Sequence, residues 1–509
     1  MSTIKSYTLN DYMKTISLAD MTIDEGLFFL GSMTNYALNY KDVSIAEKAL
    51  KLSKELEDRK DLTSKKRALL YSYMQNIWNA NNKRTSIWKN EPIERQIYYG
   101  RKAILEEDFS KLPLKARLGV YANLGNTLYQ VGRILDAIEY YNMALRTKQD
   151  FGMALGAKAR AIASCAYYLQ NTNTFLPLYV YAEQLFQQAI TSNTTEKHAL
   201  PVFKAEHNDI AKILNNISRS KNTEIYNFYP STTKQSNAYH TWCLQNNLIL
   251  NPINIIPHNN DIRDTIHTPS MISNIEKIPP YYAYFNQLKQ EFLAARFLCF
   301  EGTENLYKKH YSDKYGYLLD TFDSALWDYH TEQIKLAFLT AYSILDKVAV
   351  YINDYFNLNQ PLKSINFRNI WYHNCDMKIN PKKNKYPVLR KLFENHPNKA
   401  LSALYWLSKD FREEDTNFVL EPEADELQNI RNSLEHRFFQ IRMVNSQSGK
   451  IEGIYEQLFR DKAIKLLQLV HHALIYLAFA ITIEEDKKTA KETFSDGIIA
   501  PMILDEWSL

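Results

Sequence analysis

Apolar residues recur along this chain at helical spacing. The first 216 residues break into apolar runs separated by polar turns: Leu27, Leu30 and Gly31 with Ala46 and Leu50, Arg67 to Ala80, Ile93 to Leu105, Leu118 to Thr147, Met153 to Leu169, and Leu178 to Ile190. From Ser218 to Pro280 the period stops, and Asn, Thr, Ser, Pro and Ile dominate. That composition reads as a linker. Yet Tyr239, Trp242, Leu248, Leu250, Ile253, Ile255 and Ile256 carry too much apolar surface to be left in water, so an ordered connector packed on the following domain is expected. After Pro279-Pro280 the period returns. A helix over Tyr284 to Phe300 places Leu288, Phe292, Ala295 and Cys299 on one face, and a longer one over Tyr329 to Phe356 carries a stripe from Ile334 through Phe338, Ala341, Leu345 and Val348 to Ile352. Further helices are expected over Ala400 to Asp410, around residue 431, and over Asp461 to Ile483, making four or five helices in one bundle.

Residues 118–147, LGVYANLGNTLYQVGRILDAIEYYNMALRT, resemble the tetratricopeptide pattern of aromatic-x2-Leu-Gly-x2-large followed by Ala-x3-aromatic. Tyr121, Leu124, Gly125 and Leu128 line the first helix of the unit, Gly132 opens the turn, and Ala137, Tyr141 and Ala144 line the second. Small residues let the two helices approach, and large ones fill the gap to the neighbour. Only the customary proline is absent, with Gln149 in its place. The flanking runs are degenerate companions. One repeat cannot bury its apolar face alone, whereas three to five stacked hairpins form a curved solenoid. Such a solenoid serves either as a docking surface for a peptide or protein or as a structural array.

Composition narrows the functional classes. The 509 residues predict two to four domains. The scarcity of Gly (13) and Pro (16) agrees with an all-helical chain. A net charge of +4 from 61 basic and 57 acidic residues excludes a histone-like coat for nucleic acid, so any RNA contact is local. Cys165, Cys243, Cys299 and Cys375 show neither C-x-x-C spacing nor a paired framework, which fits a reducing cytoplasm. The opening MSTIKSYTLNDYMKT lacks the apolar core of a secretory signal. Leu466 to Ile483 runs eighteen residues without a formal charge, but Gln468, His471 and His472 within it suit the edge of a buried bundle helix better than hydrocarbon. The expectation is a cytoplasmic protein without a membrane span.

The acidic stretch Glu413 to Glu426 gives way to LQNIRNSLEHRFFQIR. Arg431-Asn432-Ser433-Leu434-Glu435-His436 supplies an arginine followed by asparagine, with four residues before a histidine. With its all-helical setting late in the chain, this resembles the signature of the HEPN (higher eukaryotes and prokaryotes nucleotide-binding) superfamily, in which the motif begins a helix just before the last long one. The order of degenerate repeats, a YHTWCLQNNLILNP connector and a HEPN bundle resembles a bacterial branch in which the two domains are fused. The resemblance implies a metal-independent ribonuclease with Arg431 and His436 catalytic, Asn432 and Glu435 supporting, and no cofactor or metal. It also implies pairing of two copies across a twofold cleft, cleavage to a 2',3'-cyclic phosphate, and a role in stress, as a toxin or in anti-phage defence, with tRNA or mRNA as substrate.

The residues support that chemistry on their own terms. On a helix Asn432 and His436 share a face, with Arg431 one step round. A histidine near its unperturbed pKa of about 6.5 exchanges a proton at neutral pH, so His436 suits activation of a ribose 2'-hydroxyl or protonation of the leaving oxygen. Arg431 presents a planar charged fork to a phosphate, Asn432 orients the pair, and Glu435, four residues on, holds the guanidinium. A competing reading makes Arg431, Glu435 and His436 an exposed, salt-bridged helix face, and the protein a non-catalytic scaffold binding protein or nucleotide.

Other candidates are less specific. Met377 to Lys391, with Lys378, Lys382, Lys383, Lys385, Arg390 and Lys391, is either a clamp for an RNA backbone or a solvated loop. His373 and Cys375 lack partner ligands for a metal. Glu332, Lys335, Asp346 and Lys347 are either neighbours of the motif or ordinary ion pairs. His471 and His472 read as packing residues. No Walker A loop, dinucleotide fingerprint or paired carboxylate motif is present. The expected protein is all-α, with tetratricopeptide-like repeats over 1–216, the connector over 217–280, a HEPN domain over 281–485 and a tail over 486–509. Its expected partners are an RNA substrate, a second copy through the HEPN domain, and an unidentified protein or peptide on the repeats.

Overall fold

The computed structural model describes residues 7–15, 17–82, 86–88, 90–169, 175–218, 234–273, 279–376, 387–411, 420–422, 424–444, 451–489 and 497–499. Among them are sixteen α-helices and only four strands of three or four residues, so the protein is all-α. The chain divides into two compact units.

The first unit holds Met1–Ser164 and Tyr179–Arg219 and takes in residues 420–422. Its helices are α1 (Leu9–Lys14), α2 (Ile23–Tyr40), α3 (Val43–Glu57), α4 (Ser64–Ala80), α5 (Glu91–Leu105), α6 (Leu114–Gln130), α7 (Ile134–Thr147), most of α8 (Gly152–Tyr168) and α9 (Phe175–Thr191), and α10 (Leu200–Ser218). They pack as sequential pairs, α2 on α3, α4 on α5 and α6 on α7, with α5 on α6 joining the last two. This arrangement agrees with helical repeats. Starts are capped: Thr22 and Glu25 form a reciprocal box on α2, while the side chains of Asp42, Thr63 and Asn90 accept from the first turns of α3, α4 and α5. At Gly125 a methyl group would lie 2.5 Å from the Tyr141 ring, so only glycine allows α6 and α7 to approach this closely. Gly132 turns the chain between them with φ of 90°, a conformation open to glycine. Arg101 pairs with Glu421 at 3.4 Å and donates to the Leu420 carbonyl, and both side chains of the pair are nearly buried.

The second unit contains α11 (Lys234–Gln245), α12 (Tyr281–Asn305), α13 (Tyr329–Tyr355), α14 (Lys399–Ser408), α15 (Ala424–His436) and α16 (Glu456–Thr489). Its core is α16, every residue of which from Leu469 to Ile481 is buried. A helix apolar on all sides belongs inside a bundle, and α12, α13 and α14 pack around it. Among the described residues two helices, Tyr329–Tyr355 and Glu456–Lys488, are long and apolar enough to cross a membrane, with 50% and 83% of their most apolar windows buried within the protein. Both are core helices of the bundle. The bundle helices outrun their apolar stripes, α12 from Tyr281 to Asn305 and α16 from Glu456 to Thr489, because polar end turns continue the backbone ladder without adding to the stripe. Short strands β1 (Met271–Ser273) and β4 (Gly497–Ile499) pair antiparallel, and β2 (Phe439–Arg442) and β3 (Glu452–Tyr455) pair in parallel.

Within this unit the connector is pinned to the bundle by polar contacts as well as by buried Trp242, Leu248, Leu250 and Ile253. Arg296 of α12, almost fully buried, donates to both oxygens of Asp264 at 2.8 and 2.9 Å, to the Tyr239 hydroxyl and to the Leu248 carbonyl. Gln468 and His471 of α16 bond the carbonyls of Asn246 and Ile249. Residues 219–233 of the connector, 377–386 of the basic run, 412–419 and 423 of the acidic stretch, and 490–496 and 500–509 of the tail lie outside the described residues.

Candidate functional site

The motif closes α15 rather than opening a helix. The helix starts at Ala424, its inner face is Leu427, Ile430 and Ser433, and it ends at His436. Three residues later the chain enters β2, which pairs with β3, so strand formation stops the helix there. Glu452 of β3 fastens this end by accepting from the Ser433 hydroxyl at 2.8 Å and pairing with Arg437 at 3.4 Å.

The four motif side chains meet as a short relay. Arg431 pairs with Glu435 at 2.9 Å and donates to the Asn432 side-chain oxygen at 3.2 Å. Glu435 lies 3.4 Å from His436 Nε2. Arg431 is 31% exposed and its guanidinium lies 5.5 Å over the Tyr342 ring. Its Nε is buried and meets no acceptor among the described residues. His436, by contrast, is 67% exposed and has Glu435 as its only polar contact among them.

Arg431 and Asn432 line a cavity of about 220 Å³. Tyr342, Leu345 and Asp346 of α13, Asn366, Phe367 and Arg368 of the following loop, Phe411, and Gln428 of α15 complete its wall. The loop is tied together locally by its own hydrogen bonds. Asn366 accepts from the backbone of Arg368 and Asn369 at 3.0 Å, while its own N–H bonds the Asn369 side chain at 2.9 Å. Arg368 donates to the Gln428 side chain. Asp346 accepts from the Phe367 N–H at 3.0 Å. Burial holds its carboxyl above the ordinary range, against the lowering influence of that bond and of Arg431 and Arg368, with Glu435 adding to the rise.

Asp346 is thus separated from the other charged residues of α13. Glu332 and Lys335 pair with each other, and Lys347 pairs with Glu291 of α12. His471 and His472 are buried in α16, and His471 is spent on the connector backbone. Among the described residues no group of three or more His, Cys, Asp or Glu is placed to hold a metal ion. Sequence reading did not find Tyr342, Asn366, Phe367, Arg368, Phe411 or Gln428. The available signals were a carboxylate interrupting the apolar stripe between Leu345 and Val348, and the Asn-Phe-Arg-Asn turn.

Comparison with known families is consistent with this assignment of the bundle. Residues 272–484 match the family described as LA2681-like HEPN. No curated protein and no solved structure matches the chain.

Proposed function

The carboxy-terminal part of the chain, residues 272–484, belongs to the LA2681-like HEPN family, and from that premise we propose that the protein is a metal-independent endoribonuclease. The observation that carries the reading is the meeting of Arg431, Asn432, Glu435 and His436, the first two of which line a polar cavity. In this mechanism the 2'-oxygen attacks the adjacent phosphorus, the bond to the 5'-oxygen breaks, and a 2',3'-cyclic phosphate and a 5'-hydroxyl result. His436 takes the 2'-hydroxyl proton or supplies one to the leaving oxygen, and its exposure leaves it open to an RNA strand. Arg431, held by Glu435 and seated over Tyr342, faces the charge that builds on the phosphate.

One exposed histidine provides one proton-transfer group, so a homodimer that brings a second His436 across the cleft is part of the proposal. The substrate is cellular RNA such as tRNA or mRNA. The setting is a cytoplasmic stress, toxin or anti-phage response, regulated by a protein or peptide on the amino-terminal repeats. One observation favours the rival non-catalytic scaffold: Arg431, Glu435 and His436 are joined by ion pairs, as an ordinary charged helix face is.

The deciding experiment incubates full-length wild type, Arg431→Ala and His436→Ala with total RNA in EDTA and reads fragment ends. Cutting that survives EDTA, leaves cyclic phosphate and vanishes in both variants is the expected result. Intact RNA with wild type, with and without added metal, moves the scaffold reading ahead.

A further inference from the structure

The cavity beside Arg431 is defined by its size and by the chemistry of its walls. Its volume, about 220 Å³, corresponds to roughly seven waters at liquid density, the size class of one nucleobase rather than of a whole nucleotide. Tyr342, Phe367 and Phe411 give it aromatic walls, Phe411 meeting the other two rings edge-on with centroids 5.8 and 6.2 Å away. Its polar groups are of two kinds, a carboxylate (Asp346) and guanidiniums (Arg368 and Arg431), with the amides of Asn366, Gln428 and Asn432 beside them.

We propose that this cavity is a nucleobase pocket that selects guanine in the nucleotide next to the scissile phosphate. The assignment rests on the ribonuclease reading for its place in the reaction, but its chemistry stands separately. Guanine alone among the four bases carries two adjacent donors, N1–H and the N2 amino group, opposite two acceptors, O6 and N7. A carboxylate answers the donor edge and an arginine fork the acceptor edge. Asp346 has the capacity, since its one hydrogen bond among the described residues comes from the Phe367 N–H, and an ionised carboxylate takes about four. It also has the need. Burial raises the cost of its charged form, and two further donors would offset that cost. Adenine sets its N1 acceptor against the carboxylate, and cytosine and uracil each offer a single donor group there. Arg431 lines the same cavity from the motif side, so a base seated in it brings its sugar and phosphate to the motif.

Affinity of the full-length protein for 3'-GMP, 3'-AMP, 3'-CMP, 3'-UMP, guanosine, adenosine and inorganic phosphate, read by calorimetry, tests the pocket without any cleavage. Expected is 3'-GMP binding at least about fivefold tighter than the other nucleotides, with guanosine retaining the preference over adenosine. Asp346→Asn should bring 3'-GMP and 3'-AMP within about threefold of each other, and Arg368→Met should weaken 3'-GMP, both with a normal circular dichroism spectrum. Equal binding of all four nucleotides and phosphate would mean an anion subsite only and would overturn the proposal, as would a preference untouched by both substitutions. The two readings separate cleanly. Guanine preference without RNA cutting removes the ribonuclease and keeps the pocket. Cutting with no guanosine bias beside the cut, together with equal nucleotide binding, removes the pocket and keeps the ribonuclease.

Discussion

Arg431 and His436 stand five residues apart on one helix, yet they occupy two different environments. Arg431 is half-buried, paired with Glu435, bonded to Asn432, seated over Tyr342 and built into a cavity with Asp346 and Arg368. His436 is the last residue of α15, two-thirds exposed, with one carboxylate beside it. The arginine end is preorganised and costs little to order when a ligand arrives. The histidine end is open to solvent, and its geometry rests on one side-chain contact among the described residues. A motif that reads as one unit in sequence is thus one packed half and one exposed half.

The largest effects that can break this comparison are catalytic. His436→Ala and Arg431→Ala are each expected to lower RNA cleavage by about 10²- to 10⁴-fold, and the double variant to be little worse than either single one, because the two act on the same step. Stability should separate them. Arg431→Ala loses its seat over Tyr342 and leaves Asp346 with one cation fewer, a cost of about 1 kcal/mol, whereas His436→Ala loses only exposed contacts. A lower melting temperature for Arg431→Ala and an unchanged one for His436→Ala would support the division. Equal destabilisation would mean that the histidine end is also built in.

A second histidine sharpens the contrast at acid pH. His471 is buried on α16, bonds the Ile249 carbonyl, and has its pKa pushed down to about 3, first by burial and then by the neighbouring His472 and Arg296. With the folded value below the unfolded one, its contribution to stability is complete above about pH 6.5. It is lost at roughly 1.4 kcal/mol per pH unit as the pH falls from there toward 3, because the unfolded chain takes up the proton first. His471→Gln, which keeps a donor for Ile249, should flatten the acid limb of a urea-unfolding series between pH 6.5 and 4.5. His436→Ala should leave that limb unchanged. An acid limb identical in wild type and His471→Gln would show that some other group governs it.

What was legible in the sequence follows the range of the interactions involved. The stripe from Ile334 to Ile352 and the uncharged run through α16 report one element's own burial, and both became core helices. The repeat pattern put Gly125 on its first helix and Tyr141 on its second, but their direct contact was visible only in the structure, since the pattern assigns large residues to the gap with the neighbouring repeat. The ion pair between Arg431 and Glu435 was legible from helical spacing alone. The end of α15 was not, since it depends on pairing of β2 with a strand that begins ten residues after β2 ends. Nor was the cavity. Arg368 reaches Gln428 across sixty residues of sequence, and Phe411 comes from a third segment, so no periodicity in any one of them could report the space they enclose.

The smallest expected effect concerns Asp346, the residue that links the packed half of the motif to the cavity. Its carboxyl is held above the ordinary value by burial, with Arg431, Arg368 and the Phe367 N–H pulling the other way and Glu435 and Tyr342 as its remaining titratable neighbours. A folded pKa above the unfolded one means that the native state holds a proton the unfolded chain has already lost. Stability therefore falls as the pH rises from about 3.8 through the raised value, and the loss is complete above it. Asp346→Asn removes the buried charge while keeping an oxygen for Phe367, so at pH 7 it should melt at the same temperature as wild type or a degree or two higher. The margin should shrink as the pH is lowered toward 4. A variant that melts well below wild type at pH 7 would show that the two arginines need the carboxylate more than burial opposes it. The cavity would then be a closed ion-pair network rather than an open seat for a ligand.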